Sequence, residues 1–313
     1  MKVKNTEFFA EIGLILITLI WGFSFVVLKT ITSAIPTNYI IAIRFGMAAL
    51  VMLILFFPRI KKLDLQSIKA GTILAVILYA SYYFQTFGLK YTTVGNNAFL
   101  TSVYVVLVPF LYWVVKREKP DSYNIISALI CMTGIGLLTL SSHLSVNLGD
   151  IFTLISGLAF GFHIVFTGIL SRKNDPILLT FTQFTVTALI SFAVALCTET
   201  LPTKFETVTV LSLLYVGIFS SMIAMLIQTI CQKYVSPSRA SLIMSMESLF
   251  GTVFGIILLH ERPTPKTFIG FFLIFAAVII SETKLNFIKF HKSSEKEPVP
   301  KECIPLNTQK EEL

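Results

Sequence analysis

The chain has 313 residues, of which 55% are hydrophobic and 13% are charged, with a mean hydropathy of +0.80 and a formal net charge of +8. A water-soluble protein of this length could not cover so much apolar surface, so the composition excludes a soluble globular protein and predicts a membrane-embedded one. The basic excess does not call for a nucleic-acid partner, because its distribution along the chain has another explanation.

Charged residues fall in short clusters, and the apolar stretches between them match the roughly 20 residues that a helix needs to cross the hydrocarbon core. No small-residue cleavage site follows the first stretch, so we expect it to be a retained helix and not a leader. Ten spans are predicted in chain order: 11–28, 39–57, 70–88, 95–115, 122–140, 149–169, 178–197, 208–230, 239–259 and 267–283.

The basic residues indicate the orientation of these spans. If the N-terminus is cytoplasmic, 19 of the 25 Lys and Arg residues lie on the cytoplasmic side, five lie outside, and Arg44 lies within the second span. This asymmetry is the positive-inside pattern, and it predicts a multi-pass plasma-membrane protein with both termini in the cytoplasm. Residues 1–10 would form the cytoplasmic N-terminus, and the polar, proline-bearing residues 284–313 a disordered cytoplasmic tail.

The chain contains two similar halves. Shifted by 143 residues, 85–120 lies over 228–263 without a gap, and a shift of 139 aligns 19–26 with 158–165. We therefore expect two repeats of five helices, 11–140 and 149–283, and because five is odd the second repeat is inverted in the membrane. Positions that coincide at the shift of 143 are Gln85/Gln228, Thr86/Thr229, Lys90/Lys233, Tyr91/Tyr234, Ser102/Ser245, Glu118/Glu261 and Pro120/Pro263.

Several short motifs resemble a known family. They are "WG" in the first span, "YYFQTFGLKYTTVGNNAFL" leading into the fourth, and the endings "KREKP" and "HERP". Together they resemble the drug/metabolite transporter superfamily, in particular its EamA-type ten-helix carriers, over residues 10–284. The resemblance implies an all-α polytopic carrier of small metabolites, often amino acids or related compounds and often exported. Carriers of nucleotide sugars or lipid-linked compounds share this architecture and remain an alternative.

Glu247 lies near the middle of the ninth span, where an ionisable group costs about 2.5–3.5 kcal/mol on insertion scales. Its repeat partner Tyr104 shares a helix face with Asn97 and Thr101, and Met244 shares the face of Glu247. We expect both faces to line a central cavity formed by spans one, three, four, six, eight and nine. Glu247 would bind an amino group of the substrate or take up a proton. The alternative is a structural tie to a serine or to Arg44.

Other polar and aromatic residues in the spans are further candidate substrate contacts. Arg44 either snorkels to the headgroups or faces the interior, where its guanidinium would suit a substrate carboxylate. Gln85 and Gln228 face the cavity or tie helices together. Trp21 contacts substrate or only packs, and His163 either carries a proton or hydrogen-bonds a neighbouring hydroxyl.

The sequence offers little to support other chemistry. It lacks a nucleotide-binding GxxxxGK[ST] loop, and its Cys and His residues have no metal-like spacing, so we expect no cofactor, no metal and no catalytic site. The expected partners are a small-molecule substrate and membrane lipids, with a proton as a candidate coupling ion. A membrane-embedded enzyme or a channel is the less favoured reading, and the oligomeric state is left open. Pro109 is a candidate kink in the fourth span.

Overall fold

The computed structural model describes residues 2–117, 119, 120, 122–139, 147–203 and 205–283, so the predicted tail 284–313 lies outside the described residues. The regular structure of this part of the chain is entirely helical. The helices are α1 (Lys2–Ile31), α2 (Thr37–Leu55), α3 (Phe57–Ile60), α4 (Leu65–Leu89), α5 (Val94–Thr101), α6 (Tyr104–Lys116), α7 (Ser122–Thr139), α8 (Leu148–Leu170), α9 (Pro176–Thr198), α10 (Thr207–Leu214), α11 (Ala224–Cys231), α12 (Pro237–Met244), α13 (Met246–Leu259) and α14 (Pro265–Thr283).

Every predicted span corresponds to an apolar helix or a pair of consecutive helices. Within the described residues, eight segments are long and apolar enough to cross a membrane, and two shorter apolar helices are Ser122–Leu137 and Pro265–Ile280. The chain is therefore an all-α multi-pass membrane protein, as predicted. The first helix is longer than its predicted span, because α1 already begins at Lys2.

The fourth and ninth spans are each broken into two helices at the same repeat position. α5 gives way to α6 at Ser102, and α12 gives way to α13 at Ser245, the repeat partner of Ser102. At both breaks a backbone bond shortens to three residues, from Val105 N–H to the Ser102 carbonyl and from Ser248 N–H to the Ser245 carbonyl. Pro109 was the expected kink of the fourth span. It lies inside continuous α6, and the span is interrupted at Ser102 instead.

The third and eighth spans differ, although they occupy equivalent places in the repeats. α4 is continuous, whereas a π-helical segment, Tyr215–Ile223, separates α10 from α11. The Ser221 hydroxyl donates to the Val216 carbonyl five residues earlier, at 2.8 Å. Such segments are uncommon, and they occur often at functional sites.

The two halves pack against each other along several pairs of helices, and in two of these pairs the first span of one half lies against the fourth span of the other. α1 lies along α13, and its repeat partner α8 lies along α6. Glycine allows both approaches: Gly22 of α1 meets Phe250, and its repeat partner Gly161 of α8 meets Leu111. Close backbone contact through small residues is the usual means of packing helices in a membrane. The result is an interface between the halves that is similar on both sides of the bundle.

Candidate functional site

A cavity lies between the two halves, at the level of the helix breaks. Twelve residues line it, from α1, α4, α6, α8, α11, α12 and α13. Two of these, Ser24 and Met244, have no repeat partner in the lining. The other ten form repeat pairs: Trp21/Phe160, Phe25/Ile164, Tyr82/Met225, Gln85/Gln228 and Tyr104/Glu247. The cavity therefore lies on the pseudo-twofold axis that relates the halves.

The cavity is small in this conformation. Its volume is about 30 Å³, which leaves room for a few water molecules and not for a metabolite. Of the lining residues, all but Phe160 are buried. A metabolite therefore needs the halves to separate before it can enter, so the conformation is a closed one.

Glu247 bonds directly to its repeat partner. The Tyr104 hydroxyl donates to Glu247 Oε1 at 3.1 Å, and both side chains are at most 7% exposed. Among the described residues, the ion pairs join Arg59 to Asp175 and Arg239 to Glu7 and Glu11, and none includes Glu247. A buried carboxyl group without a cation partner is suited to hold a proton or to receive an ammonium group.

Arg44 does not form the predicted tie to Glu247. Its side chain is completely buried, so it does not snorkel, and its Nε and Nη2 donate to Ser221 Oγ at 2.8 Å and Ser220 Oγ at 3.2 Å. The guanidinium carbon lies 4.3 Å from the ring centroid of Tyr82, which itself lines the cavity. Arg44 is thus one layer behind the lining, held by the π-helical segment, and its Nη1 has no hydrogen-bond partner.

The predicted polar stripe of the fourth span is divided between two layers. Tyr104 lines the cavity, whereas Asn97 and Thr101 lie behind it. The Asn97 amide donates to Thr153 Oγ1 at 2.8 Å and to the Gln85 carbonyl at 3.3 Å, and Gln85 donates to Thr101 Oγ1 at 3.4 Å. These side chains form a buried polar layer between α4, α5 and α8.

The remaining predicted residues have clear positions. Trp21, Gln85, Gln228 and Met244 line the cavity, and the Trp21 indole N–H donates to the Ser220 carbonyl at 3.0 Å. His163 is buried behind the lining, and its Nε2 lies 3.1 Å from Gln183 Oε1. The partner of His163 is therefore an amide and not the expected hydroxyl.

Tyr82 and Met225 were not predicted as site residues, although they line the cavity and touch each other. The Tyr82 hydroxyl donates to Met225 Sδ at 3.7 Å. They precede Gln85 and Gln228 by three residues, which places each on the same helix face as its glutamine. The sequence could have identified both residues if the helix face of each glutamine had been followed one turn toward the N-terminus.

The two ends of the bundle are closed by related contacts. At the end where α1 and α12 begin, hereafter the α1 end, Arg239 Nε lies 2.7 Å from Glu11 Oε1. At the end where α8 and α5 begin, hereafter the α8 end, the Thr92 hydroxyl donates to the buried Asp150, which also interacts with Asn96. Glu11 and Asp150 are repeat partners, as are Asn96 and Arg239. The same two positions therefore join the halves at both ends.

Glu261 also joins the halves, at the start of α5. Its two carboxylate oxygens accept from Val94 N–H at 2.6 Å and Gly95 N–H at 3.1 Å. These amides have no partner within the helix, and a carboxylate at a helix N-terminus satisfies them and offsets the helix dipole. The predicted partner position in the other half, Glu118, lies outside the described residues.

We expect Glu261→Gln to lower the free energy of unfolding by about 1 kcal/mol, because it weakens a charge-assisted helix cap. The measurement is the thermal unfolding midpoint of the purified protein in detergent. Glu206→Gln is the matched control, since Glu206 precedes α10 without a side-chain capping bond. Equal midpoints for the two variants would contradict the capping role.

We also expect Tyr104→Phe to destabilise the protein, by about 1–3 kcal/mol, because a buried carboxyl oxygen loses its donor. A double-mutant cycle with Glu247→Gln isolates the contact, with thermal unfolding as the measurement. The cost of Tyr104→Phe should change when position 247 is glutamine. Strictly additive effects would show that the two side chains do not interact.

Comparisons with known proteins match nearly the whole chain. The model of the EamA-like transporter family matches residues 8–140 and again residues 147–283. An uncharacterized transporter of Archaeoglobus fulgidus is 35% identical over 274 residues, covering 87% of this chain and 85% of the relative. The uncharacterized transporter YoaV of Bacillus subtilis is 23% identical over 278 residues, covering 86% and 95%. A crystal structure at 14% identity superposes with a TM-score of 0.67 over 91% of this chain and 99% of the other, which shows a shared fold.

Proposed function

The chain belongs to the EamA-like transporter family, and we propose that it is a secondary transporter that moves a small metabolite through the central cavity by alternating access. The observation that carries this proposal is the direct bond between the repeat partners Tyr104 and Glu247 in a cavity between the halves. Transporters built from inverted repeats place their substrate site near the midplane, at the interface of the repeats.

Two family matches of similar length, each covering five of the predicted spans, support the division into repeats 11–140 and 149–283. Five spans per repeat place the second repeat upside down relative to the first. The excess of basic residues on one side orients both termini toward the cytoplasm of a cell with the protein in its plasma membrane. The α1 end is then cytoplasmic and the α8 end faces outward.

The contacts at the two ends act as gates in this mechanism. Opening the α1 end breaks the contact between Glu11 and Arg239, and opening the α8 end breaks the contact of Asp150 with Thr92. Because the acids of the two gates, Glu11 and Asp150, are repeat partners, rocking of one half against the other loosens one gate while it preserves the other. The closed conformation described above lies between the two open ones.

The lining of the cavity suits a small organic substrate with an apolar body and an amino group. Aromatic and aliphatic side chains form most of it, with amide groups from Gln85 and Gln228 and one acid, Glu247. Glu247 binds the amino group or exchanges it for a proton, and the amides orient the remaining polar atoms. An amino acid or a related metabolite, moved outward, fits this set.

Substrate counterflow in proteoliposomes tests the proposal. Vesicles are preloaded with each member of a panel of unlabelled amino acids and related metabolites, and uptake of the labelled compound is followed against protein-free vesicles. A carrier gives transient, saturable accumulation for at least one compound, with exchange faster than net flux. Flux that rises linearly with concentration, without counterflow, would identify a channel instead.

A further inference from the structure

The first half supplies a cation near the cavity and the second half an acid, and in each case the repeat partner is uncharged. The acid is Glu247, which bonds to its partner Tyr104. The cation is Arg44, whose partner at the shift of 139 is Gln183. Among the described residues, neither Glu247 nor Arg44 belongs to an ion pair. The two halves therefore contribute unlike charges that do not neutralise each other directly.

Arg44 is a buried cation that is held by neutral groups. Its side chain is fully buried, and its two bonds go to the hydroxyls of Ser221 and Ser220, while Nη1 has no hydrogen-bond partner. A buried guanidinium without a carboxylate is costly, and a charged side chain inside a membrane bundle usually has a function. The same position of the other half is filled by a neutral amide, since Gln183 bonds to His163.

Tyr82 stands between this cation and the cavity. The guanidinium carbon of Arg44 lies 4.3 Å from the centroid of the Tyr82 ring, and Tyr82 interacts electrostatically with both Arg44 and Glu247. The Tyr82 hydroxyl donates to Met225 Sδ at 3.7 Å, and a thioether sulfur is a weak acceptor. A cation against the ring polarises the hydroxyl and makes it a stronger donor to an anion. The Tyr82 hydroxyl is therefore suited to leave the sulfur for a carboxylate.

We propose that Arg44 makes the cavity selective for substrates that carry a carboxylate beside their amino group, as α-amino acids do, over plain amines. This rests on the proposed function, in which Glu247 receives the amino group. The Tyr82 hydroxyl donates to the substrate carboxylate, and the charge of Arg44 behind the ring stabilises that carboxylate, because charges act over several ångströms in a protein interior. Arg44 does not touch the substrate and is a positioning residue that acts through Tyr82.

The other role that the contacts of Arg44 allow is structural. Its bonds to Ser220 and Ser221 support the π-helical segment. Both roles predict that substitution of Arg44 lowers stability, so stability alone does not separate them. A structural role affects the binding of amino acids and amines alike, whereas the selectivity role affects them differently. The informative quantity is therefore the ratio of the two affinities.

Stabilisation of the purified full-length protein by ligands, measured by thermal unfolding in detergent, gives this ratio. Each amino acid of the counterflow panel is compared with its decarboxylated amine. We expect the wild type to bind at least one amino acid about ten-fold more tightly than the matching amine, since a site built for a polar group discriminates against a ligand that lacks it. In Arg44→Gln the preference should fall several-fold. The amino acid binds more weakly, whereas the amine loses only a repelling charge.

Three further variants accompany Arg44→Gln. Arg44→Lys keeps the positive charge and should retain most of the preference. Tyr82→Phe keeps the ring and removes the hydroxyl, so it should lose the preference as well, and it tests the proposal even where Arg44→Gln does not fold. Arg59→Gln removes an exposed arginine that pairs with Asp175 away from the cavity, and as the matched control it should bind both ligands like the wild type.

Three outcomes would overturn the proposal. They are a wild type that binds amines as tightly as amino acids, an equal weakening of both ligands in Arg44→Gln and Tyr82→Phe, or an unchanged preference in these variants. Each of them leaves Glu247 as the amino-group site and the transporter proposal intact. A wild type that binds neither amino acids nor amines removes the substrate class of the proposed function, and the selectivity role of Arg44 with it.

Discussion

Glu247→Gln is expected to abolish the accumulation of substrate driven by a pH gradient, with a loss of at least about ten-fold, which corresponds to about 1.4 kcal/mol. Glutamine has nearly the same size and keeps an oxygen that accepts from Tyr104, so the packing of the cavity should persist. It cannot gain or lose a proton, and it offers an ammonium group no negative charge. The measurement is uptake into proteoliposomes with and without an imposed gradient.

Substrate exchange, measured with the same pH on both sides of the membrane, separates the two roles of Glu247, which are to carry a proton and to bind the amino group of the substrate. If Glu247 only carries the proton, Glu247→Gln keeps counterflow and loses gradient-driven uptake. If Glu247 also binds the amino group of the substrate, both are lost and the half-saturating concentration rises. Glu206→Gln, a charge change at the start of α10 away from the cavity, is the control. Normal gradient-driven uptake by Glu247→Gln would contradict both roles.

Gly22→Ala is expected to have the largest effect on stability of any single methyl group added to α1. An added Cβ would lie 2.5 Å from Phe250 Cβ and 3.0 Å from the Gly251 nitrogen. These neighbours are backbone or directly attached to it, so α1 and α13 must move apart. Overpacking of this kind costs about 1–3 kcal/mol, and here it disturbs the interface between the halves. We expect a lower thermal unfolding midpoint and slower transport.

Gly46→Ala is the matched control for this substitution. Its added Cβ would meet no atom closer than Ala188 Cβ at 3.9 Å, an ordinary van der Waals contact. The change from glycine to alanine also favours helix by about 1 kcal/mol at both positions. Gly46→Ala should therefore be neutral or stabilising, and a similar loss in both variants would contradict the close approach of α1 and α13.

The number and positions of the helices were largely predictable from the sequence, because hydropathy marks the segments that cross the membrane. A helix is the way for a single apolar segment to satisfy its backbone in lipid, so each apolar stretch becomes a helix. The breaks at Ser102 and Ser245 were not predictable in this way. Serine does not interrupt a helix by itself, and the proline that does so more often, Pro109, lies in continuous α6.

The break at Ser102 accounts for the two layers into which the structure places the predicted stripe of the fourth span. Asn97, Thr101 and Tyr104 share a face on a regular helix, but the backbone bonds tighten to a three-residue step at Ser102, between Thr101 and Tyr104, and this changes the rotation of the side chains about the axis. Tyr104 therefore lines the cavity, while the other two contact α4 and α8. The partners of Arg44 were hidden for a related reason. Ser220 and Ser221 lie in a π-helical segment, and a period of 3.6 residues does not predict where their side chains point.

Cysteine accessibility under cross-linking tests alternating access most directly. In a variant without native cysteines, a cysteine at position 228 reports on the cavity, and a second pair of cysteines is joined by a short bifunctional reagent. Cross-linking positions 11 and 239 should leave position 228 reachable by a charged thiol reagent from the α8 face only, and cross-linking positions 92 and 150 from the α1 face only. Labelling from the same face in both cross-linked forms, or from both faces in either, would contradict alternating access through this cavity.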